Sequence, residues 1–303
     1  MTTRRAISSV GMLVMTLMVS ATAYAQATAT GQKPFEPQVG QAGKDVVWVP
    51  TPQAVVDKML DMATVTKTDF VMDLGSGDGR TVITAAKRGA RAMGIEYNPD
   101  MVDLSTKNAE AAGMTARATF VKADLFETDF SKADVITMFL LPSINMKLRP
   151  KLLDLKPGTR IASNTFTMED WQADETATVT DGCSSSWCTA LFWIVPAKVG
   201  GTPCDGTVVV KSTSSTTGNT TNTTSTVQKQ ACGPVTWTTP NGELKLTQTF
   251  QMVSGTLGNQ ALQGRLRGAE ITFTAGTTKY AGMVDGNTIK LTGPTAFTAT
   301  KKM

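Results

Sequence analysis

The hydrophobic pattern of this 303-residue chain changes character along its length. From about residue 69 to residue 166, compact apolar runs alternate with segments whose apolar residues recur every three or four positions. That alternation predicts strands at about 69–75, 91–97, 118–124, 133–141 and 159–166, with helices at about 78–88, 98–113 and 143–155. A further helix is predicted after Thr51, a good N-cap, with Pro52 in the first turn and Val55, Met59 and Met62 at helical spacing. Strand and helix in alternation imply an α/β domain around a mostly parallel sheet covered on both faces. The link Leu125 to Lys132 is too short for a crossover helix, which with its turns takes about a dozen residues, so one helix of the series should be missing.

Beyond Trp171 the period shortens. Thr176–Thr180 and Trp187–Val195 read as two strands around a turn holding Cys183 and Cys188, which would close the sheet with antiparallel strands and end the domain near Lys198. Residues 199–303 then show apolar residues at alternate positions, as in Leu244 with Leu246, Ile271 with Phe273 and Ile289 with Leu291, separated by turns such as Pro240-Asn241-Gly242 and Asp285-Gly286-Asn287. This predicts a small antiparallel β meander or open barrel. The Thr/Ser/Asn tract at about 211–226 has nothing to bury and is expected to be a loop or long hairpin tip.

The N-terminus has its own pattern. Arg4 and Arg5 precede the apolar run Val10–Val19, and Ala23-Tyr24-Ala25 follows as a small-residue cleavage site, which together read as a secretory signal over 1–25. The apolar run is shorter than the roughly 18 residues that span a bilayer, so no stable membrane insertion is expected once it is removed. Residues 26–45, rich in Ala, Thr, Gln and Gly, read as a flexible lead-in to the domain at 46–198. Export, to a bacterial periplasm, suits four cysteines that lack zinc-type spacing; Cys183–Cys188 with Cys204–Cys232 is the pairing that costs least loop closure.

Composition narrows the chemistry. A formal charge of +4 does not mark a nucleic-acid binder, and no nucleic-acid partner is expected. The chain has no histidine, which removes Ser-His-Asp and Cys-His catalysis and the commonest transition-metal ligand; no metal site is expected.

The first strand of the domain runs into Asp73-Leu74-Gly75-Ser76-Gly77-Asp78-Gly79 with a helix directly after it. A strand, a glycine loop and a helix N-terminus let backbone approach a ligand closely, as in Rossmann-like nucleotide sites. The dinucleotide fingerprint would place its third glycine at position 80, where this chain has Arg80. Two further acids end the next strands: Glu96, followed by Tyr97, where a carboxylate can accept both hydroxyls of a ribose, and Asp124, followed by Leu125. Each acid alone would also suit a helix cap or a solvated turn; three at successive strand ends point to one pocket.

The spacing D-x-G-x-G-x-G, with Glu96 and Asp124, resembles motif I and the following acids of the class I methyltransferases that use S-adenosylmethionine (SAM). Val49-Pro50-Thr51-Pro52, Gly94-Ile95-Glu96 and Phe139-Leu140-Leu141-Pro142 followed by Leu148-Arg149-Pro150 resemble one branch of that family. That branch contains the lysine methyltransferases of ATP synthase subunit c and of the adenine nucleotide translocase. The resemblance covers about 46–198. It implies SAM as cofactor, held by Asp73, Gly75, Ser76, Gly77, Gly79, Glu96, Tyr97, Asp124 and Leu125, with Asp124 near the adenine amine. It also implies a protein or small-molecule methyl acceptor, with Phe139, Leu141 and Pro142 beside the transferred methyl group. Relatives of the branch often carry a histidine within Ala162–Phe166; Asn164 takes that place here and joins the catalytic set. Trp48 and Leu140 are expected to line an apolar channel, with Asp134, Asn145, Glu169, Asp170 and Trp171 on the acceptor side. The missing histidine and the export signal leave a second reading open. On that reading the chain is a degenerate SAM- or nucleotide-binding envelope protein whose role lies in its C-terminal β module.

Overall fold

The computed structural model describes residues 35–200, 208–217, 220–229 and 234–302, with the strands inside 208–229 as backbone only. The signal segment and the Cys204–Cys232 pairing lie outside the described residues.

Helix α1 (Gln53–Met62) is followed by β1 (Phe70–Leu74), α2 (Arg80–Lys87), β2 (Arg91–Glu96), α3 (Pro99–Ala111), β3 (Ala118–Lys122), β4 (Val135–Met138), α4 (Pro142–Leu153) and β5 (Arg160–Asn164). A hairpin of β6 (Glu175–Thr178) and β7 (Thr189–Ile194) completes a seven-stranded sheet in the order β3-β2-β1-β4-β5-β7-β6. The first five strands in that order are parallel, and β7 runs antiparallel to both β5 and β6. This is the Rossmann-like sheet with antiparallel closing strands that the pattern predicts. Strands β1, β4 and β5 are buried almost throughout, because helices cover both faces; their residues are mainly apolar, with Asp73, Thr137, Ser163 and Asn164 buried among them.

The helix starts follow local chemistry. Asn98 caps α3 by accepting the Asp100 N–H at 2.9 Å, with Pro99 in the first turn, and Pro142 opens α4. Helix α1 begins one residue later than predicted: Pro52 occupies the cap and its carbonyl accepts from Val55 and Val56, while no side chain caps the helix. The segment between β3 and β4 forms turns without a helix and buries Phe130 and Ala133 under the sheet edge.

Past the sheet, β8 (Val208–Thr217) and β9 (Thr220–Lys229) pair as a two-stranded ribbon, which makes the Thr/Ser tract the arms of a hairpin. Strands β10 (Val235–Thr239), β11 (Gly242–Thr249), β12 (Met252–Leu257), β13 (Gln260–Arg267), β14 (Glu270–Ala275), β15 (Thr278–Asp285), β16 (Thr288–Thr292) and β17 (Phe297–Lys301) form an up-and-down barrel. The barrel is closed rather than open, since β17 returns to pair with β10 through Trp237↔Lys301 and Thr238↔Thr300. Closure removes the exposed strand edges that an open meander would leave. The inward positions, among them Trp237, Leu246, Leu266, Ile271 and Ile289, are fully buried and fill the interior, as expected of eight strands.

The barrel is packed onto the α/β part. Phe250 stacks on Trp171 with centroids 6.1 Å apart and joins the core beneath the sheet. Gln251 Nε2 donates to Gln172 O at 2.8 Å, and Gln248 bridges the linker by donating to Ala197 O and accepting from Val199 and Gly200. Arg265 pairs with the buried carboxylate of Asp174, and Arg267 with Glu175.

Candidate functional site

In the strand order, β1 has β2 on one side and β4 on the other, so the loops leaving β1 and β4 diverge at the carboxyl edge and open a crevice there. The Gly75–Gly79 loop forms its floor. Gly75, Gly77 and Gly79 have φ of 76°, 52° and 82°, which side chains other than hydrogen rarely tolerate. A Cβ on Gly77 would stand 2.7 Å from the Trp48 indole nitrogen, so backbone lies open to the pocket where a side chain would close it. Gly79 serves a different purpose from the one expected. It is absent from the pocket wall, and its Cβ would collide with Phe120 and Ser105, so it lets α2 pack against β3 and α3.

The three acids meet as the sequence implies. Asp73, Glu96 and Asp124 all line the pocket, with Ser76, Tyr97 and Leu125. The Glu96 carboxylate accepts the N–H groups of Gly77 at 3.0 Å and of Tyr97 and Asn98 at 2.9 Å. A carboxylate has about four acceptor positions, so three such bonds hold it rigidly and leave capacity for a ligand hydroxyl. Asp73 is buried beneath the loop and accepts the Thr137 hydroxyl at 2.6 Å. Burial pushes its carboxyl up to about 7 against the opposing effect of the Thr137 bond, with the charges of Asp78 and Glu96 adding to the rise.

Asp124 is tied to Lys44. The Lys44 ammonium bonds to it and lies over the Tyr97 ring, 4.8 Å from its centre, and this bond, with the Phe126 N–H, holds the Asp124 carboxyl below its ordinary range. Lys44 belongs to a segment expected to be a flexible lead-in. In the structure Gly40 N–H bonds to Trp48 O, Trp48 N–H to Gln41 O, and Gly43 N–H to Val46 O, and the resulting turn carries residues 41–48 along the pocket wall. The signal for this strap was weak: Trp48 alone marks it as a place where a large ring needs a partner.

The other end of the pocket is aromatic and aliphatic. Phe139, Leu140, Leu141 and Ile144 come from the end of β4 and the start of α4, Phe166 from the end of β5, and Trp187 from the β6–β7 turn. Phe139 stacks on Phe166 at 5.6 Å and meets Trp187 edge-on at 6.1 Å. Two members of the expected catalytic set stand outside this wall. Pro142 starts α4, and Asn164 is fully buried, accepting the Thr165 hydroxyl at 2.9 Å while its amide nitrogen has no partner. None of the five acceptor-side candidates lines the pocket either. Asp134 lies at the opposite edge of the sheet, bonded to Phe70 N–H and Lys156. Asp170 pairs with Arg149, Trp171 is core, and Glu169 is exposed. Asn145 acts from behind, donating to Phe166 O and Thr167 O at 3.2 and 3.1 Å and so holding the Phe166 turn. Among the described residues no group of three acidic or sulfur side chains could hold a metal, and no helix is long and apolar enough to cross a membrane.

A family of known proteins, described as the ANTKMT methyltransferase domain, matches residues 73–175. A protein-lysine N-methyltransferase of Saccharolobus islandicus (strain REY15A) is 47% identical over 140 residues, which cover 45% of this chain and 87% of that protein. The adenine nucleotide translocase lysine N-methyltransferase of Mus musculus is 37% identical over 119 residues, 39% of this chain and 51% of its own length, so the chain spans about half of that relative. Among solved structures, an RNA methyltransferase from Salinibacter ruber in complex with S-adenosyl-L-homocysteine is 46% identical, covering 50% of this chain and 96% of that one with a TM-score of 0.47. The glycine cradle at Gly77 and the fixed carboxylate of Glu96 suit the adenosyl part of SAM, the cofactor of the matched family. The glycine loop, the acids of β1 to β3 and the likeness across most of the Saccharolobus protein agree: the chain belongs to the class I SAM-dependent methyltransferases, in the branch of the adenine nucleotide translocase and ATP synthase subunit c lysine methyltransferases.

Proposed function

We propose that this enzyme methylates lysine side chains of a protein acceptor, and that it works outside the cytoplasm. The observation that carries the acceptor is the 47% identity to a protein-lysine N-methyltransferase across 87% of that protein's length. The apolar wall supports it on physical grounds. A lysine must lose its proton before it can attack, at about 4–5 kcal/mol at pH 7 from a pKa near 10.4. Phe139, Phe166 and Leu140 surround the amine with apolar surface, which disfavours the charged form and lowers that cost.

When bound, SAM supplies a methyl group on a sulfonium, open to in-line attack. The protein aligns donor and acceptor and excludes water, so the absence of a histidine base removes nothing essential. Glu96 would accept a ribose hydroxyl, and the backbone of Gly75–Gly77 would face the cofactor where a side chain would clash. Asp124 would accept the adenine amine if Lys44 released it. The Cys183–Cys188 disulfide, like the signal segment, suits an oxidising compartment.

The test is incubation of the full chain with methyl-labelled SAM and a protein extract, followed by mass mapping of the label. Methyl-lysine is the expected product. Label in RNA or in small molecules would replace the acceptor, and SAM binding without any transfer would favour the degenerate alternative. Mass measurement of the native N-terminus, with a start at Gln26 expected, tests the location.

A further inference from the structure

We propose that Trp187 is an acceptor-binding residue, presented to the reaction by the disulfide-closed tip of the β6–β7 hairpin. The inference rests on the lysine reading and says which part of the chain recognises that lysine.

The sheet order divides the pocket. The polar groups suited to a cofactor, Asp73, Glu96 and Asp124, follow β1, β2 and β3 on one side of the switch point. The three rings Phe139, Phe166 and Trp187 follow β4 and β5 and precede β7 on the other side. All three rings are only half-buried, so they leave apolar surface open to the pocket. An alkyl stem carrying an amine is the chemistry that fits, since the stem packs on the apolar ring surface and carries its polar end to the pocket.

Trp187 is held there by covalent closure together with a bond from its backbone N–H to Ser185 Oγ at 3.2 Å. Ser184, Ser185 and Ser186 are exposed and have nothing apolar to bury. The Cys183–Cys188 bond spans that run, with Cα atoms 5.8 Å apart, and ends one residue from the ring. Val179 N–H bonds to Cys188 O at 2.7 Å, and Cys183 with Val179 packs on Val55 and Met59. The tip is thereby seated on α1, and Met59 of that helix also lines the pocket. The family match ends at residue 175, so both the ring and its clamp lie beyond it, and this chain completes the acceptor wall with a segment outside the matched domain.

The experiment uses the full oxidised chain, poly-L-lysine as acceptor probe and S-adenosylhomocysteine as cofactor probe. Trp187→Ala should raise KM for poly-L-lysine about tenfold while kcat and the Kd for S-adenosylhomocysteine stay nearly unchanged, and Trp187→Phe should restore most of the loss. The paired change Cys183→Ser with Cys188→Ser should raise KM less, about threefold, by freeing the ring's hairpin tip. Dithiothreitol should reproduce that rise in the native chain and have no effect on the paired variant. An unchanged KM in Trp187→Ala, or an equal loss of S-adenosylhomocysteine binding, overturns the assignment and leaves the lysine reading standing. A native enzyme that binds the cofactor probe but leaves poly-L-lysine unmodified overturns both.

Discussion

The α/β part and the barrel are both built on sheets, yet one is organised around an opening and the other around closure. In the α/β part, parallel strands send their loops to a common edge, and the divergence at β1 and β4 leaves a crevice lined by backbone and three carboxylates. In the barrel, β17 returns to β10 and a buried tryptophan, with leucines, isoleucines and a phenylalanine, fills the interior. A barrel of eight strands is just wide enough for its own side chains to fill, as they do here. The difference teaches that the described pocket belongs to the first region, to which the barrel is fastened through Phe250, Gln251 and the Arg265–Asp174 pair.

That division can be broken or sharpened by substitution. The largest effect is expected from Trp237→Ala in the barrel core, where Trp237 is fully buried and donates to Val199 O at 3.2 Å. About 3–5 kcal/mol of stability should be lost in denaturant unfolding. The Kd for S-adenosylhomocysteine, read on folded protein, should stay within about twofold, since no barrel residue lines the pocket. A much larger shift would show that the barrel shapes the site.

Glu96→Ala makes the complementary case. It strands three backbone donors and removes the ribose acceptor, so the Kd should rise about a hundredfold, equivalent to about 2.7 kcal/mol. Calorimetric titration reads this directly, and an effect below about tenfold would remove Glu96 from the cofactor set.

Asp73 gives an effect that depends on pH. Its carboxyl stands at about 7 in the folded chain against an ordinary 3.8, so the folded chain binds more protons than the unfolded one between those values. Stability of the native chain therefore falls as pH rises through that window, whereas Asp73→Asn carries no such titration. The melting temperature of the variant relative to the native chain should climb between about pH 4 and pH 7 and level off above it. A difference that stays flat with pH would show that Asp73 is ionised in the fold.

The smallest effect is expected from Lys44→Met, which frees Asp124 from an exposed ion pair. Cofactor association, followed by stopped-flow tryptophan fluorescence, should become about two- to threefold faster and lose part of its salt dependence. A slower rate would make Lys44 a cofactor contact rather than a competitor for Asp124.

Much of the fold is legible in local pattern because the forces that decide it are local or periodic. The buried runs of β1, β4 and β5, the proline at the start of α4, and the short link that omits a helix can each be read from neighbouring residues. Glu96 and Asp124 are legible for a related reason: a parallel strand after a crossover must deliver its last residue to the same edge. Misplaced readings share the opposite property. Gly79 stands in the same motif as Gly77, but the distance to Phe120 and Ser105 decides which of the two faces the pocket. Asn164 and Pro142 adjoin Phe166 and Leu141 in the chain, yet neither lines the cavity.

By itself, then, the sequence determined the alternation of strands and helices, the glycine loop with its three acids, and the hairpin that carries Cys183 and Cys188. Only the tertiary structure decided that the barrel closes, that residues 41–48 return across the pocket to tie Lys44 to Asp124, and that Trp187 meets Phe139. The physical reason is the separation along the chain. Patterning acts within a few residues, whereas Lys44 and Asp124 lie 80 positions apart and are brought together only when the sheet assembles.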